Sequence, residues 1–85
     1  MVYSVSIPED VYKELRRFPK TVRARLLARA MALSNDPRPS SVKKLRGYDS
    51  TYRVRVGNYR IIYDVDDHAQ QISVVWIADR KDAYR

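Results

Sequence analysis

The chain contains no cysteine, which excludes disulfides, thiolate metal ligands and a thiol nucleophile. It has one histidine, His68, set beside Asp66 and Asp67. Zinc chemistry needs about three convergent protein ligands, so His68 reads as a polar turn residue and no metal or other cofactor is expected. The same scarcity removes any Ser-His-Asp arrangement. Only two glycines are present, Gly47 and Gly57, too few for a glycine-rich phosphate loop. No apolar run approaches the ~20 residues that span a bilayer, and the N-terminus lacks a signal-peptide pattern. A soluble cytoplasmic protein without a membrane partner is therefore expected.

Negative charge is the other scarcity. Ten acids face 17 lysines and arginines, giving a net charge of +7 and a pI near 10, a balance that favours an acidic partner. The excess is uneven. Residues 1–35 hold seven cations against three acids, and residues 43–60 hold six against Asp49 alone, whereas residues 61–85 are net acidic. With 85 residues, of which 45% are hydrophobic, the chain has the size of one small domain, 1–85, with a limited core.

What is present is clearest at Tyr52-Arg-Val-Arg-Val-Gly-Asn-Tyr-Arg-Ile-Ile-Tyr63. Apolar and polar residues alternate on both sides of Gly57-Asn58, the signature of a β-hairpin with a two-residue turn. Glycine at the first turn position suits type II′, where positive φ is required. That turn sets Val56 opposite Tyr59, Arg55 opposite Arg60, Val54 opposite Ile61 and Arg53 opposite Ile62. Tyr52, Val54, Val56, Tyr59, Ile61 and Tyr63 then share an apolar face, and Arg53, Arg55 and Arg60 crowd the other. Like charges opposite one another destabilise a sheet by a few tenths to ~1 kcal/mol. Such a cluster does nothing for the fold and suits a polyanion.

Around the hairpin, Tyr3-Ser-Val-Ser-Ile7 alternates as a short strand. Pro8 opens a helix at a position where its missing N–H is harmless, with Glu9 and Asp10 suited to the positive helix end. Val11, Leu15 and Phe18 form its stripe. Pro19 separates it from a second helix reaching about Asn35, with Val22, Leu26, Ala30 and Leu33 inward and Lys20, Arg23, Arg25 and Arg29 on a solvated face. Two helices joined so closely suggest an antiparallel helical hairpin. Residues 36–41 form a loop, and Lys43-Lys-Leu-Arg-Gly-Tyr48 leads into the hairpin with Leu45 as a buried anchor. Residues 66–69 make a turn. Gln71–Ala78 is a strand, apolar on both faces in its second half as in a central strand. The order β-α-α-β-β-β predicts an α+β domain: two helices on one face of a small, mostly antiparallel sheet, with the arginine face open and concave.

RNA cleavage is chemistry that these residues permit without a metal, because the 2′-hydroxyl is itself the nucleophile. A protein must then orient the backbone, neutralise the phosphorane and move protons. Arginine performs the first two tasks through its planar fork of donors. It cannot perform the third, its pKa lying above ~12. Tyr84, near Arg80, is the candidate proton carrier, since neighbouring arginines favour phenolate; its ring could instead stack on a base.

The ordered pattern Lys43-Lys-Leu-Arg-Gly47, Tyr52-Arg-Val-Arg-Val56, Asn58-Tyr-Arg-Ile-Ile-Tyr-Asp64 and Ile77-Ala-Asp-Arg-Lys-Asp-Ala-Tyr84 resembles the RelE branch of the RelE/ParE toxin superfamily over essentially the whole chain. The resemblance implies a toxin held by a cognate antitoxin, a metal-independent endoribonuclease that cuts mRNA in the ribosomal A site. Ribosome and mRNA would be its targets, and operator DNA a partner only through the antitoxin complex. A ParE-like inhibitor of DNA gyrase, or a catalytically weak RNA- or partner-binding relative, would share the fold. Carried over by position, the resemblance makes Arg60, Arg80 and Tyr84 catalytic. Lys43, Lys44, Arg46, Arg53, Arg55 and Arg85 are the phosphate-binding set. Two departures matter: arginine at 53 and 55, where well-known members carry lysine, and Asp79 where many relatives carry histidine. Both remove potential bases.

Overall fold

A computed structural model describes residues 2–40 and 42–79. Strand β1 (Ser4–Ser6) is followed by helices α1 (Glu9–Leu15) and α2 (Lys20–Ala32) and by strands β2 (Lys43–Lys44), β3 (Thr51–Val56), β4 (Tyr59–Asp66) and β5 (Gln71–Asp79). The five strands form one sheet in the order β1-β5-β4-β3-β2. Only the β1–β5 pair is parallel; the remaining pairs are antiparallel. The expected α+β architecture therefore holds, with one strand more than the sequence pattern suggested. The two like-charged residues Lys43–Lys44 carry no alternation that marks a strand, and the strand exists through its pairing with Arg53 and Tyr52.

Pro8 sits one position earlier than expected, and Pro19 takes the same place before the second helix. Pro8 and Pro19 are N-caps in extended conformation (ψ 156° and 149°) rather than first helical residues. Each still donates nothing where the helix leaves its N–H groups unpaired, and each accepts through its carbonyl, from Tyr12 and Arg23 at 2.9 Å. Helix α1 ends at Leu15, so Phe18 packs from the turn beyond it, its ring 5.0 Å from that of Tyr59. Helix α1 lies against β5 and α2 against β3.

The core is the space between the helices and one face of the sheet. Val11, Leu15, Leu26, Ala30 and Leu33 meet Val54, Ile61, Tyr63, Val65, Ile72, Val74 and Ile77 there, all buried. Burying a side chain of this kind contributes roughly 1.5–3 kcal/mol, so the hydrophobic stripes of the helices and the even–odd alternation of the hairpin jointly fix which face of the sheet turns inward. Among the described residues no helix is long and apolar enough to cross a membrane.

A strap closes the end of the sheet away from the hairpin turn. The Tyr63 hydroxyl donates to the Pro37 carbonyl at 2.7 Å, and the Tyr63 ring stacks on Tyr52 with centroids 5.9 Å apart. Arg38 lies over the Tyr52 ring and donates through Nε to the Tyr52 hydroxyl (2.9 Å) and through Nη2 to Asp67 Oδ2 (2.7 Å). Tyr3 donates to the other Asp67 oxygen at 2.6 Å. Two donors hold the Asp67 carboxyl below its ordinary range. Burial pushes the Tyr63 phenol up to about 12.

Candidate nucleic-acid interface

The β3–β4 register is the one the alternation requires: Val56 pairs with Tyr59, Arg55 with Arg60, Val54 with Ile61 and Arg53 with Ile62. Gly57 has φ of +61° and Asn58 has no positive φ, the combination of a type II′ turn. Because β2 pairs Lys43 with Arg53, Lys43 joins Arg53, Arg55 and Arg60 on the face away from the helices. Lys44, paired with Tyr52, points to the helix side, and Arg46 stands exposed in the turn after β2. The structure thus gathers four of the sequence-derived cations on one face and leaves Lys44 off it. Arg80, Tyr84 and Arg85 lie outside the described residues.

The three hairpin arginines are not equivalent. Arg55 is exposed and Arg53 half-buried, but Arg60 is only 3% exposed. A buried guanidinium needs its donors satisfied, and among the described residues no buried side-chain nitrogen or oxygen lacks a hydrogen-bond partner. Among the described residues no acid pairs with Arg53 or Arg55; the ion pairs join Arg17 to Glu14 and Arg38 to Asp67. Asp64, on this face but opposite Thr51 at the end of the hairpin away from its turn, accepts from the Ser50 hydroxyl at 2.6 Å and from Thr51 at 3.2 Å. At the hairpin tip a polar notch of about 120 Å³ is lined by Arg55, Gly57, Asn58, Tyr59 and Arg60. Arg25, read from sequence as part of a solvated helix face, reaches this tip: its Nη2 lies 3.2 Å from where a Cβ on Gly57 would stand.

Beside these cations the open face carries an apolar region, and no period in the sequence reveals why. Ile62 pairs with Trp76 and Tyr63 with Val74, so Val75 is an inserted residue on β5. Such a β-bulge lets two consecutive residues point the same way. Val75 (54% exposed) and Trp76 (45%) consequently both face outward, although the apolar second half of β5 suggests a strand covered on both sides. Leu45, expected as a core anchor, is half-buried on this face instead. Together with Ile62 and Ala78 these residues form the floor of a groove of about 360 Å³ that Tyr48, Thr51, Arg53 and Arg60 complete. Among the described residues no three His, Cys, Asp or Glu side chains converge as metal ligands would.

A five-stranded mixed sheet with helices on one face, and cations gathered on the other, can be compared with known proteins. Residues 5–84 match the family described as the ParE toxin of type II toxin–antitoxin system, parDE. The chain belongs to the RelE/ParE superfamily of toxins from type II toxin–antitoxin systems. Among solved structures, the RelE of the archaeal RelE–RelB complex from Pyrococcus horikoshii OT3 superposes with a TM-score of 0.85 at 34% identity, covering 98% of this chain and all of that one. The isolated RelE toxin of E. coli superposes at 0.81 with 26% identity, over 96% of this chain and 88% of that one. Toxin RelE of Mycobacterium tuberculosis is 26% identical over 84 residues, 98% of this chain and 87% of that protein. The RelE/ParE chain described here is thus alike to its relatives over nearly its full length, with the two helices and the five-stranded sheet in common.

Proposed function

We propose that this protein is the toxin of a toxin–antitoxin pair and acts as an endoribonuclease that cuts mRNA at the ribosomal A site. The observation that carries the reading is the open face itself. Lys43, Arg53, Arg55 and Arg60 stand side by side on β2, β3 and β4, and among the described residues no acid pairs with Arg53 or Arg55. Such a face is complementary to a phosphodiester backbone.

In the proposed reaction the ribose 2′-oxygen attacks the adjacent phosphorus. The new O2′–P bond forms as the P–O5′ bond breaks, and the proton lost from O2′ is balanced by one delivered to the departing O5′, directly from the protonated Tyr84 or through solvent, leaving a 2′,3′-cyclic phosphate and a 5′-hydroxyl. Arg53 and Arg55 hold backbone phosphates, Lys43 and Arg46 extend the field, and Arg60 with Arg80 neutralises the phosphorane charge. Tyr84 takes the 2′-hydroxyl proton or stacks a base, because no arginine gives up a proton near neutral pH and Asp79 replaces the histidine of many relatives. Partner assignment follows the relatives: RelE proteins of Pyrococcus horikoshii and Mycobacterium tuberculosis were solved as complexes with antitoxins. A cognate antitoxin is proposed here too, with operator DNA reached only through that complex.

The test is purified protein added to translating ribosomes, with mapping of mRNA 5′ ends. Cuts within A-site codons are expected. Arg60→Ala and Arg80→Ala should each lower kcat/KM by ~2–4 kcal/mol of transition-state stabilisation; unchanged cleavage in both would remove these roles. The match to the ParE family favours one second reading, inhibition of DNA gyrase. Intact mRNA with trapped gyrase–DNA complexes would establish it instead.

A further inference from the structure

We propose that the apolar groove on the open face is a nucleobase subsite, in which a base of the bound RNA stacks on Trp76 and Tyr48. The inference rests on the ribonuclease reading and adds to it a site that the cations alone do not provide. The register places Lys43, Arg53, Ile62 and Trp76 in one row across β2, β3, β4 and β5. Strands lie about 4.8 Å apart, so Arg53 and Trp76 are separated at the backbone by about 10 Å, two strand spacings. That is the reach of one nucleotide from phosphate to base.

The lining matches both halves of such a ligand. Arg53 and Arg60 border the groove at its charged end, and Tyr48 and Trp76 stand exposed around an apolar floor of Ile62, Val75 and Ala78. Its volume, about 360 Å³, lies at the lower end of the ~300–1,000 Å³ typical of small-molecule sites. Single-stranded RNA is recognised by stacking unpaired bases on aromatic rings while cations hold the backbone. An entirely apolar occupant would cover Arg53 without offering it a counter-charge, which is unfavourable; a nucleotide supplies a phosphate at that end. The bulge at Val75 is the structural device. By turning two consecutive β5 residues outward it places Trp76 in the same row as Arg53.

Trp76 is the only tryptophan in the chain, so its fluorescence reports the groove directly. The probe is a 2′-O-methyl adenosine trinucleotide, which cannot form the cyclic phosphate, compared with the same sugar–phosphate trimer lacking bases. Saturable quenching of Trp76 by the trinucleotide is expected, with the base-free trimer binding about ten-fold more weakly, within the range that base stacking supplies. Tyr48→Ala and Trp76→Ala should weaken binding of a fluorescently labelled trinucleotide about five-fold or more, and Trp76→Phe should retain it. Circular dichroism of each variant separates this from misfolding. Equal affinity for the two trimers, or an unchanged dissociation constant in Tyr48→Ala, would overturn the subsite. So would a groove filled by a second copy, seen as protein-concentration-dependent Trp76 emission with a dimer in sedimentation equilibrium. Base-dependent binding without ribosomal cleavage would uphold the subsite and remove the enzymatic reading; cleavage without base-dependent binding would do the reverse.

Discussion

Tyr52 and Arg53 are neighbours on one strand and face opposite worlds. On the Tyr52 side a cation, Arg38, is fully engaged: it lies on the tyrosine ring, donates to its hydroxyl and pairs with Asp67. On the Arg53 side cations stand opposite cations, Lys43 against Arg53 and Arg55 against Arg60, and among the described residues neither Arg53 nor Arg55 has an acidic partner. The same side-chain chemistry serves as a strut on one face and, at Arg53 and Arg55, as positive potential with no described acid beside it on the other. What separates the two roles is the supply of acids. Asp67 is delivered to Arg38 by the β4–β5 turn, while Asp64, on the cationic face but opposite Thr51 at the end of the hairpin away from its turn, is held by Ser50 and Thr51.

Mutations can break this contrast, and the largest effect should come from the open face. Arg53→Ala combined with Arg55→Ala is expected to lower kcat/KM for ribosome-dependent cleavage by ~2–4 kcal/mol in ΔΔG‡. The melting temperature should hold or rise, because like charges are removed from opposed strand positions. A lower melting temperature with cleavage intact would make these residues struts after all.

The strap should behave in the opposite way. Tyr63→Phe deletes the hydrogen bond to the Pro37 carbonyl and leaves that acceptor without its phenol, a loss of about 1–2 kcal/mol. For a domain of this size that is a fall of several degrees, at ~4–8 °C per kcal/mol, read by calorimetry, with cleavage at low temperature unchanged. Arg38→Met should cost less, about 1 kcal/mol or below, since the Arg38–Asp67 pair is largely solvent-exposed.

Titration sharpens the same point. The Tyr63 phenol is raised from 10.0 to about 12 by burial. Between these values the unfolded chain has lost the proton that the folded chain retains, so its contribution is whole below pH 10 and is lost as pH rises towards 12. Tyr63→Phe should remove that alkaline loss in a pH series of denaturant midpoints. Asp67 is shifted the other way. Its contribution is present above the unfolded carboxylate range and fades as pH falls through the lowered folded value, a fade that Arg38→Met should reduce. The smallest effect concerns salt. Each arginine removed from the open face should reduce the slope of log affinity against log salt for single-stranded RNA by about 0.7, whereas Arg38→Met should leave it unchanged.

Much of this was legible before the fold was seen. The hairpin register, its II′ turn and the sorting of Arg53, Arg55 and Arg60 from Val54, Val56 and Ile61 follow from period-two alternation around Gly57-Asn58. The helical stripes were equally legible, from spacings of three and four residues, and Val11, Leu15, Leu26, Ala30 and Leu33 are all in the core. Other features were hidden. Val74, Val75 and Trp76 are uniformly apolar, so nothing in their order marks the bulge that turns Val75 and Trp76 outward. Arg25 belongs to a helical pattern, and only the packing of α2 on β3 carries it to the hairpin tip. Arg60 carries the same charge as Arg55 but is paired on both sides, with Arg55 and with Ala78, whereas β2 reaches only Tyr52 and Arg53 and leaves Arg55 uncovered on its outer side.

By itself, then, the amino-acid order determined the local periods, the turn and the excess of positive charge on one strand face, because these depend on residues a few positions apart. Tertiary structure decided which cations are pinned and which stay available, and how an apolar groove came to adjoin them. Those outcomes depend on contacts such as Arg38 with Asp67, 29 residues apart, and on a register shift between β4 and β5. Pairing across such distances is settled by packing the whole sheet, and no short window of sequence contains it.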